Sequence, residues 1–182
     1  DLHRLARTVV ATVYPLAERN RVQLVTDIDP ALGVGEADPN WLQAALMNFL
    51  ENAVEACVHD RTQSDHQVWF QARPEGADRV CFEITDNGMG MDQETQEKMF
   101  TLFFSSKGSK GTGLGMFIAN HVITQHGGSI QVTSRPGAGS RFRIHLPRHP
   151  PEKNSVSKLA EVPSTPQNTE PAELQPNPGH ES

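Results

Sequence analysis

Apolar residues recur at helical spacing in three parts of the chain. The first part covers residues 2–19, where Pro15 is expected to kink or restart the helix. The second begins at an Asp-Pro pair at residues 38–39, which suits an N-cap and a first turn, and ends near His59. The third covers residues 114–126 and stops at a Gly-Gly pair. We therefore expect three main helices.

Other segments alternate between apolar and polar residues, as strands do when one face is buried. Five segments show this pattern, and they cover residues 22–28, 67–73, 79–86, 129–134 and 140–146. Residues 74–78 join the second and third segments as a hairpin turn. Together with the helices, the pattern predicts an α/β fold. We expect a two-layer sandwich in which helices cover one face of a mixed sheet.

The second predicted helix carries two separate stripes. Its apolar stripe consists of Leu42, Leu46, Leu50, Ala53 and Cys57. Asn48, Asn52 and Glu55 lie on another stripe of the same helix. Because Asn is a weak helix former, two Asn residues one turn apart indicate a role other than helix stability. The oxygen of a side-chain amide is a hard ligand that suits Mg²⁺.

Two glycine clusters bracket the stretch from Asp86 to Met116. The first, at residues 86–90, follows a predicted strand, and the second, at residues 111–115, opens the third helix. Glycine lets the backbone approach a ligand closely, and the start of a helix attracts anions. Lys107 and Lys110 precede the second cluster and add positive charge. The clusters predict a site for a flat, anionic ligand, although each cluster alone also fits an ordinary turn.

Asp86 lies on an unusual side of its strand. By the period-two rule it shares a face with Val80, Phe82 and Ile84, which predicts that its carboxylate points toward the core. A buried carboxylate needs a hydrogen-bonding partner. The partner is either a ligand or, alternatively, the turn that follows the strand.

Four motifs, in order, resemble the four boxes of the ATP-binding catalytic domain of histidine protein kinases. They are Asn48-x-x-x-Asn52, Asp86-x-Gly88-x-Gly90, Phe100-x-x-Phe103-Phe104 and Gly111-Thr112-Gly113-Leu114-Gly115. These proteins are the sensor kinases of bacterial two-component signalling, in a superfamily shared with gyrase, mismatch-repair and chaperone ATPases. The resemblance implies the Bergerat ATP-binding fold, with ATP and Mg²⁺ as ligands. It covers roughly residues 1–147 and is highly specific, because all four boxes are present.

The resemblance also implies a role for each residue of the motifs. Asp86 accepts from the adenine amino group, which favours ATP over GTP, and Asn52 holds Mg²⁺ through its amide oxygen. Asn48 supports the metal or a phosphate, and Ser140 reaches the adenine through Asp86 or a water molecule. The adenine edge is lined by Gly88 and Gly90, and the phosphates are met by Lys107, Gly111, Thr112, Gly113, Leu114 and Gly115.

A short helix capped by Asp92 leads into an aromatic cluster at residues 100–104. In the family this cluster anchors the lid over the nucleotide, and we expect it to contribute packing. Six residues separate Phe104 from Gly111, so the lid is short. The short lid resembles the branch that contains the nitrogen-regulatory sensors.

In this family the reaction transfers the γ-phosphoryl group of ATP to a histidine on a separate helical dimerisation domain, for relay to a response regulator. His3 is followed by Arg4 where an acidic neighbour is typical, so we expect the acceptor domain to lie outside this chain. Little or no turnover is then expected from the chain alone. One alternative is an ATPase of the same superfamily, which carries a water-activating Glu where this chain has Asn48. The other is a non-catalytic docking module that senses nucleotide.

Composition limits the remaining possibilities. The net charge of −6 argues against a nucleic-acid partner, and no apolar run is long enough to span a membrane. Because the chain starts with Asp1, we expect it to be a cytoplasmic piece of a longer protein, in which the missing part is either a membrane anchor or a sensor. Cys57 and Cys81 lack metal or redox spacing and are expected to be buried free thiols. Residues 148–182 contain seven of the 13 prolines and no aromatic residue, which predicts a disordered tail.

Overall fold

The computed structural model describes residues 1–104 and 113–150. The helices are α1 (Leu2–Arg19), α2 (Pro39–His59), α3 (Gln93–Lys98) and α4 (Gly115–Gln125), with a short 3₁₀ turn at Pro30–Leu32. The strands are β1 (Gln23–Ile28), β2 (Gln67–Glu75), β3 (Arg79–Asp86), β4 (Ser129–Ser134) and β5 (Ser140–Pro147). The predicted helices and strands are therefore confirmed, with small shifts at their ends.

The five strands form one mixed sheet in the order β1-β2-β3-β5-β4. Only the β1–β2 pair is parallel; the other three pairs are antiparallel. Alternate residues of the central strands, such as Phe70, Phe82 and Ile144, are fully buried against the helices. The opposite face carries ion pairs, such as Arg143 Nε with Glu83 Oε2 at 2.6 Å. The predicted two-layer α/β architecture is confirmed.

Helix α2 is the central helix of the helical layer that covers the sheet. The carboxylate of Asp38 caps it by accepting hydrogen bonds from the amides of Asn40 and Trp41, at 2.9 and 3.1 Å. Pro39 occupies the first turn, where its missing N–H costs no hydrogen bond. Every residue of the predicted apolar stripe is buried, from Leu42 to Cys57. The burial leaves the asparagine stripe directed away from the core.

Helix α1 runs without interruption through Pro15, so the expected restart of the helix at this residue was wrong. Proline removes one backbone donor, which leaves the carbonyl of Ala11 without its usual intrahelical partner. Both residues lie on the exposed side of α1, where water can satisfy that carbonyl.

Among the helices that the structure describes, α1 and α2 included, none is long and apolar enough to cross a bilayer.

Helices α2 and α4 run antiparallel, and this arrangement positions the site. At one end, Nε2 of His126 accepts from the amide of Asp38 at 3.1 Å. At the other end, the start of α4 at Gly115 lies against the side chain of Asn48. The second glycine cluster therefore ends on the asparagine face of α2.

The two cysteines are both free, but they differ in burial. Cys57 is fully buried, as expected, whereas Cys81 is only half-buried, because it lies on the sheet face that the helices do not cover. Burial, with the nearby carboxylate of Asp86, raises the pKa of Cys57 to about 12. This thiol is neutral and unreactive at physiological pH.

Candidate functional site

Asp86 is the last residue of β3, and its side chain points to the core face, as the alternation predicted. It is 3% exposed, and burial raises its pKa to about 6. Hydrogen bonds from the Gly88 amide, at 2.9 Å, and from the backbone and side chain of Ser140 partly offset this rise. The carboxylate thus also caps the turn after the strand, so the two interpretations of Asp86 are compatible.

Ser140 lies directly beside Asp86 because the two residues pair across β3 and β5. Ser134 pairs with Ser140 across β5 and β4, which extends the row to a third strand. The hydroxyl oxygens of the two serines lie 3.1 Å apart. Sequence reasoning found Ser140 but missed Ser134, although its place on the inward face of β4 could have indicated it.

The first glycine cluster is held between α2 and the β4–β5 turn. A Cβ on Gly88 would lie 2.4 Å from the carbonyl carbon of Ala56, and the amide of Met89 donates to the oxygen of that carbonyl at 3.1 Å. Gly90 has a φ of +65°, and a Cβ there would lie 1.9 Å from the carbonyl oxygen of Arg135. These glycines are required by the close approach of backbone to backbone.

Asn87 anchors the loop after β3 through hydrogen bonds of its side chain, a role that the sequence patterns did not indicate. Its side-chain oxygen accepts from the amide of Gln67, and its Nδ2 donates to the carbonyl of Asp65, both at 2.8 Å. The hydrogen bonds tie the residue after Asp86 to the start of β2. Asn and Asp commonly bond to nearby backbone in turns, and this preference could have indicated the role.

The asparagine face of α2 connects the two glycine clusters. Nδ2 of Asn48 donates to the carbonyl of Ala44 at 3.0 Å, which leaves its Oδ1 facing Gly115. Asn52 follows one turn later and is half-buried. Ala56, one further turn along, contacts Gly88. The structure thus places Asn48, Asn52 and Asp86 around one region of the molecule, with the start of α4 at one end.

Part of the second cluster is described, and part is not. Gly113 has a φ of +64°, and a Cβ there would lie 2.5 Å from the carbonyl carbon of Phe103. The carbonyl of Leu114 accepts from Ile118 at 2.9 Å, which opens the first turn of α4. The remaining predicted phosphate contacts, Lys107, Lys110, Gly111 and Thr112, lie outside the described residues, as do residues 151–182 of the predicted tail.

The aromatic cluster differs from the expectation of a packed cluster. Phe100 packs against the core, but Phe103 is 72% exposed and Leu102 is 49% exposed. Phe103 also has a φ of +62°, which is uncommon for a bulky residue. The backbone of Phe103 lies against Gly113.

Three comparisons with known proteins bear on this site. The family model described as "Histidine kinase-, DNA gyrase B-, and HSP90-like ATPase" matches residues 37–150. The signal transduction histidine-protein kinase AtoS of Escherichia coli K12 is 34% identical over 156 residues, which cover 86% of this chain. The chain spans 25% of the length of AtoS.

Solved structures agree with the family match. The catalytic domain of the histidine kinase ThkA aligns with a TM-score of 0.69 and 28% identity, over 82% of this chain and 96% of the domain. Full-length ShkA, solved in complex with AMPPNP, aligns with a TM-score of 0.68 and 25% identity, over 80% of this chain and 30% of ShkA. With its family model matched from residue 37 to residue 150, this chain belongs to the histidine kinase-, DNA gyrase B- and HSP90-like ATPase family.

Proposed function

We propose that the chain is the ATP-binding catalytic domain of a sensor histidine kinase. In this proposal it transfers the γ-phosphoryl group of ATP to a histidine on a separate dimerisation domain, for relay to a response regulator. The observation that carries the proposal is the buried carboxylate of Asp86, which is followed by a glycine loop packed against Ala56 of α2. The similarity to AtoS and to the ThkA catalytic domain supports the same function.

Asp86 suits recognition of an adenine base. An ionised carboxylate only accepts hydrogen bonds, so it pairs with the exocyclic amino group of adenine and is repelled by the carbonyl of guanine. Burial strengthens this discrimination, because a mismatched base leaves a desolvated carboxylate facing an acceptor. The hydrogen bonds from Gly88 and Ser140 hold the carboxylate in position without using all of its acceptor capacity.

Mg²⁺ would neutralise negative charge on the phosphates when it is bound. Asn52 would hold it through the amide oxygen, with support from Asn48. The described residues contain no cluster of three or more His, Cys, Asp or Glu side chains able to bind a metal. The amide oxygens of Asn52 and Asn48 fit Mg²⁺, which usually keeps several waters and combines few protein ligands with substrate phosphates. Lys107, Gly88, Gly90 and the Gly111–Gly115 amides complete the proposed nucleotide contacts.

The structure offers a reason to favour a kinase over a hydrolase. Asn48 is an amide that cannot act as a base, and its Nδ2 is already bonded to Ala44. Hydrolysis remains a second candidate function because of Glu51. Burial and the nearby Glu55 raise the pKa of this carboxylate, as is typical of a general base. A hydrolase would release inorganic phosphate from MgATP without any acceptor domain, and replacing Glu51 by Gln would abolish that release.

The wider setting is also part of the proposal. Because the chain spans a quarter of AtoS, the dimerisation domain and the response regulator are proposed partners of the whole protein. A cytoplasmic location fits this role, with no nucleic-acid contact and no direct membrane contact by this domain. We propose that residues 1–147 are the catalytic domain and that residues 148–182 are a Pro-rich tail outside it.

The test is a phosphotransfer assay with an added dimerisation domain from a related sensor kinase. Labelled MgATP, this chain and the acceptor domain are expected to give acid-labile phosphohistidine on the acceptor. The Asn52→Ala variant is expected to give little label. Binding of MgATP without any phosphohistidine would instead favour a nucleotide-sensing docking module, and phosphate release without an acceptor would favour the hydrolase.

A further inference from the structure

The sheet has a free edge at β1. This strand pairs with β2 alone, so its other side has no strand neighbour within the described residues. The amides of Gln23 and Asp29 donate to the carbonyls of His66 and Ala72, both at 2.9 Å. In a parallel pair these bonds direct the backbone groups of the odd-numbered residues of β1 toward β2 and those of the even-numbered residues away from it. The residues whose N–H and C=O groups face the free edge are Leu24, Thr26 and Ile28.

An open groove lies beside this edge, between β1 and α1. Leu24 and Ile28 point toward the helical layer but are only partly buried, whereas inward residues of the central strands, such as Phe70 and Phe82, are fully buried. The groove has a volume of about 460 Å³. Its wall on the helix is one stripe at helical spacing, formed by His3, Arg7, Val10, Ala11 and Tyr14.

The two ends of the groove differ in character. Helix α1 and strand β1 are joined by a short turn at residues 20–22 and run in opposite directions, which places the start of α1 beside the end of β1. In agreement, the amide of Leu2 donates to the carbonyl of Gly33, just past β1, at 2.9 Å. The two basic residues of the stripe therefore lie near Ile28, and its apolar residues lie further toward the middle of β1.

The basic end of the groove is not neutralised from within. Among the described residues, no salt bridge involves the side chain of His3 or Arg7. Asp27 of β1 does not reach them, because it lies on the opposite face of the sheet and is bonded to Arg73 at 2.6 Å. The groove thus offers a positive charge at one end and apolar surface along the rest.

We propose that the β1 edge and this groove bind an extended, acidic segment of another protein by strand addition. The segment pairs antiparallel with β1, the more stable arrangement per residue. Its side chains opposite the three edge residues face the helical layer, so that a carboxylate meets Arg7 and an apolar side chain enters the groove beside Val10. The surface is independent of the proposed nucleotide site, because β2 separates β1 from the strand that carries Asp86.

The charge pattern favours a different protein over a second copy of this chain. Two β1 strands paired antiparallel about Thr26 would bring the Leu24 of one copy opposite the Ile28 of the other. That arrangement places an apolar side chain, and no carboxylate, at the basic end of the groove. The edge itself is open to addition, because none of its three outward-facing residues is the proline or lysine with which proteins commonly block an edge strand.

The probe is the synthetic peptide acetyl-Thr-Glu-Thr-Val-Thr-Leu-Thr-amide, titrated into the isotope-labelled full chain and followed by NMR. Antiparallel pairing places its Glu opposite Ile28, its Val opposite Thr26 and its Leu opposite Leu24. We expect saturable shifts and slower hydrogen exchange at the amides of these three residues. Methylation of the peptide nitrogen of the Val should abolish binding, because that N–H faces β1. Methylation of the Thr that follows the Val is the matched control and should leave binding intact.

Two variants of the chain test the edge and the charge separately. Thr26→Pro removes an N–H that faces the free edge and no hydrogen bond to β2, so it should fold and bind roughly two- to thirteenfold more weakly, the loss of one hydrogen bond. Thr26→Val keeps the amide and should bind like the wild type. Arg7→Glu should weaken binding roughly two- to thirtyfold, because it replaces an exposed ion pair by a repulsion of similar size. Its matched control is Arg4→Glu, at an exposed position of α1 that does not line the groove.

The inference is overturned if millimolar probe shifts none of the three edge amides, or if Arg7→Glu and Arg4→Glu weaken binding equally. Full-strength binding by folded Thr26→Pro would also overturn it, and if that variant does not fold, the Arg7→Glu comparison still decides. Slow exchange of the edge amides in the chain without peptide would mean that the edge is already covered. Sedimentation would then show whether a second copy covers it. These measurements need no nucleotide, so their failure is distinct from failure of the proposed function.

Discussion

Oδ1 of Asn48 lies against Gly115, where a Cβ on residue 115 would stand 2.6 Å from that oxygen. This contact joins the asparagine face of α2 to the first turn of α4. Because the obstructing atom is the end of a side chain, Asn48 can move aside if residue 115 grows. The chain should then keep its fold while the proposed metal and phosphate side of the site is displaced.

We therefore expect Gly115→Ala to remain folded and to bind MgATP about 5- to 150-fold more weakly, since a misplaced polar group costs about 1–3 kcal/mol. Isothermal titration and thermal melting measure the two effects. The control is the Asn48→Ala background, where the obstruction is absent. There Gly115→Ala should stabilise the chain by a few tenths to about 1 kcal/mol, because Ala is the better helix former. An equal loss of stability in both backgrounds would contradict the contact.

Gly90 and Gly76 form a matched pair for a second prediction. Both have positive φ, at +65° and +70°. Of the two, only Gly90 is packed against backbone, because a Cβ added there would lie 1.9 Å from the carbonyl oxygen of Arg135. Gly76→Ala should cost about 1–2 kcal/mol, the strain of the left-handed conformation. Gly90→Ala adds an overlap that should cost a further 1–3 kcal/mol or more. Urea unfolding of both variants checks this, and equal losses would contradict the packing.

Sequence patterns predicted the features that depend on local periodicity. The buried stripe of α2 and the inward direction of Asp86 followed directly from the helical and strand periods, because burial of one face leaves little choice of register. The same rule could have placed Ser134, whose importance arises only once β4 is paired with β5. Strand order was not available from the pattern.

The features that sequence did not predict depend on tertiary contacts. Pro15 is tolerated because it lies on the outer side of α1. The helical period alone could have indicated this exposed position, whereas the presence of a proline in the sequence did not. Phe103 is exposed in the folded chain, where its backbone lies against Gly113, ten residues later. A cluster of phenylalanines therefore looked like core although part of it faces solvent.

The raised pKa of Asp86 predicts a pH-dependent cost of stability. Its pKa of about 6 in the folded chain lies above the ordinary value of 3.8, so the folded chain holds the proton more tightly. Stability is therefore lost as pH rises from about 4 to about 6, by up to roughly 3 kcal/mol, and the loss persists above that range. Asp86→Asn avoids this cost, because the amide stays neutral.

The free energy of unfolding of Asp86→Asn should accordingly increase relative to that of the wild type as pH rises from about 4 to about 7. Urea titrations of both proteins at each pH measure the difference, in which the titration of other groups cancels. The Thr85→Ser variant, on the opposite face of β3, is the control and should follow the wild type. A constant difference across this range would mean that Asp86 titrates normally.

Asn52 provides a prediction about the metal. If its amide oxygen holds Mg²⁺, Asn52→Ala should lower the affinity for ATP in the presence of Mg²⁺ to about the value measured with a chelator. The affinity for ATP without metal should change little, because the base contacts remain. Titration of ATP with and without Mg²⁺ separates the two effects. An equal loss under both conditions would assign Asn52 a role other than metal binding.

The most direct test of the nucleotide site is isothermal titration of MgATP against MgGTP, with Asp86→Asn beside the wild type. We predict that the wild type prefers ATP by about 5- to 150-fold, since a buried acceptor facing the guanine carbonyl costs about 1–3 kcal/mol. This preference should be lost in Asp86→Asn. Equal binding of both nucleotides, or no binding by a chain shown by circular dichroism to be folded, would contradict it.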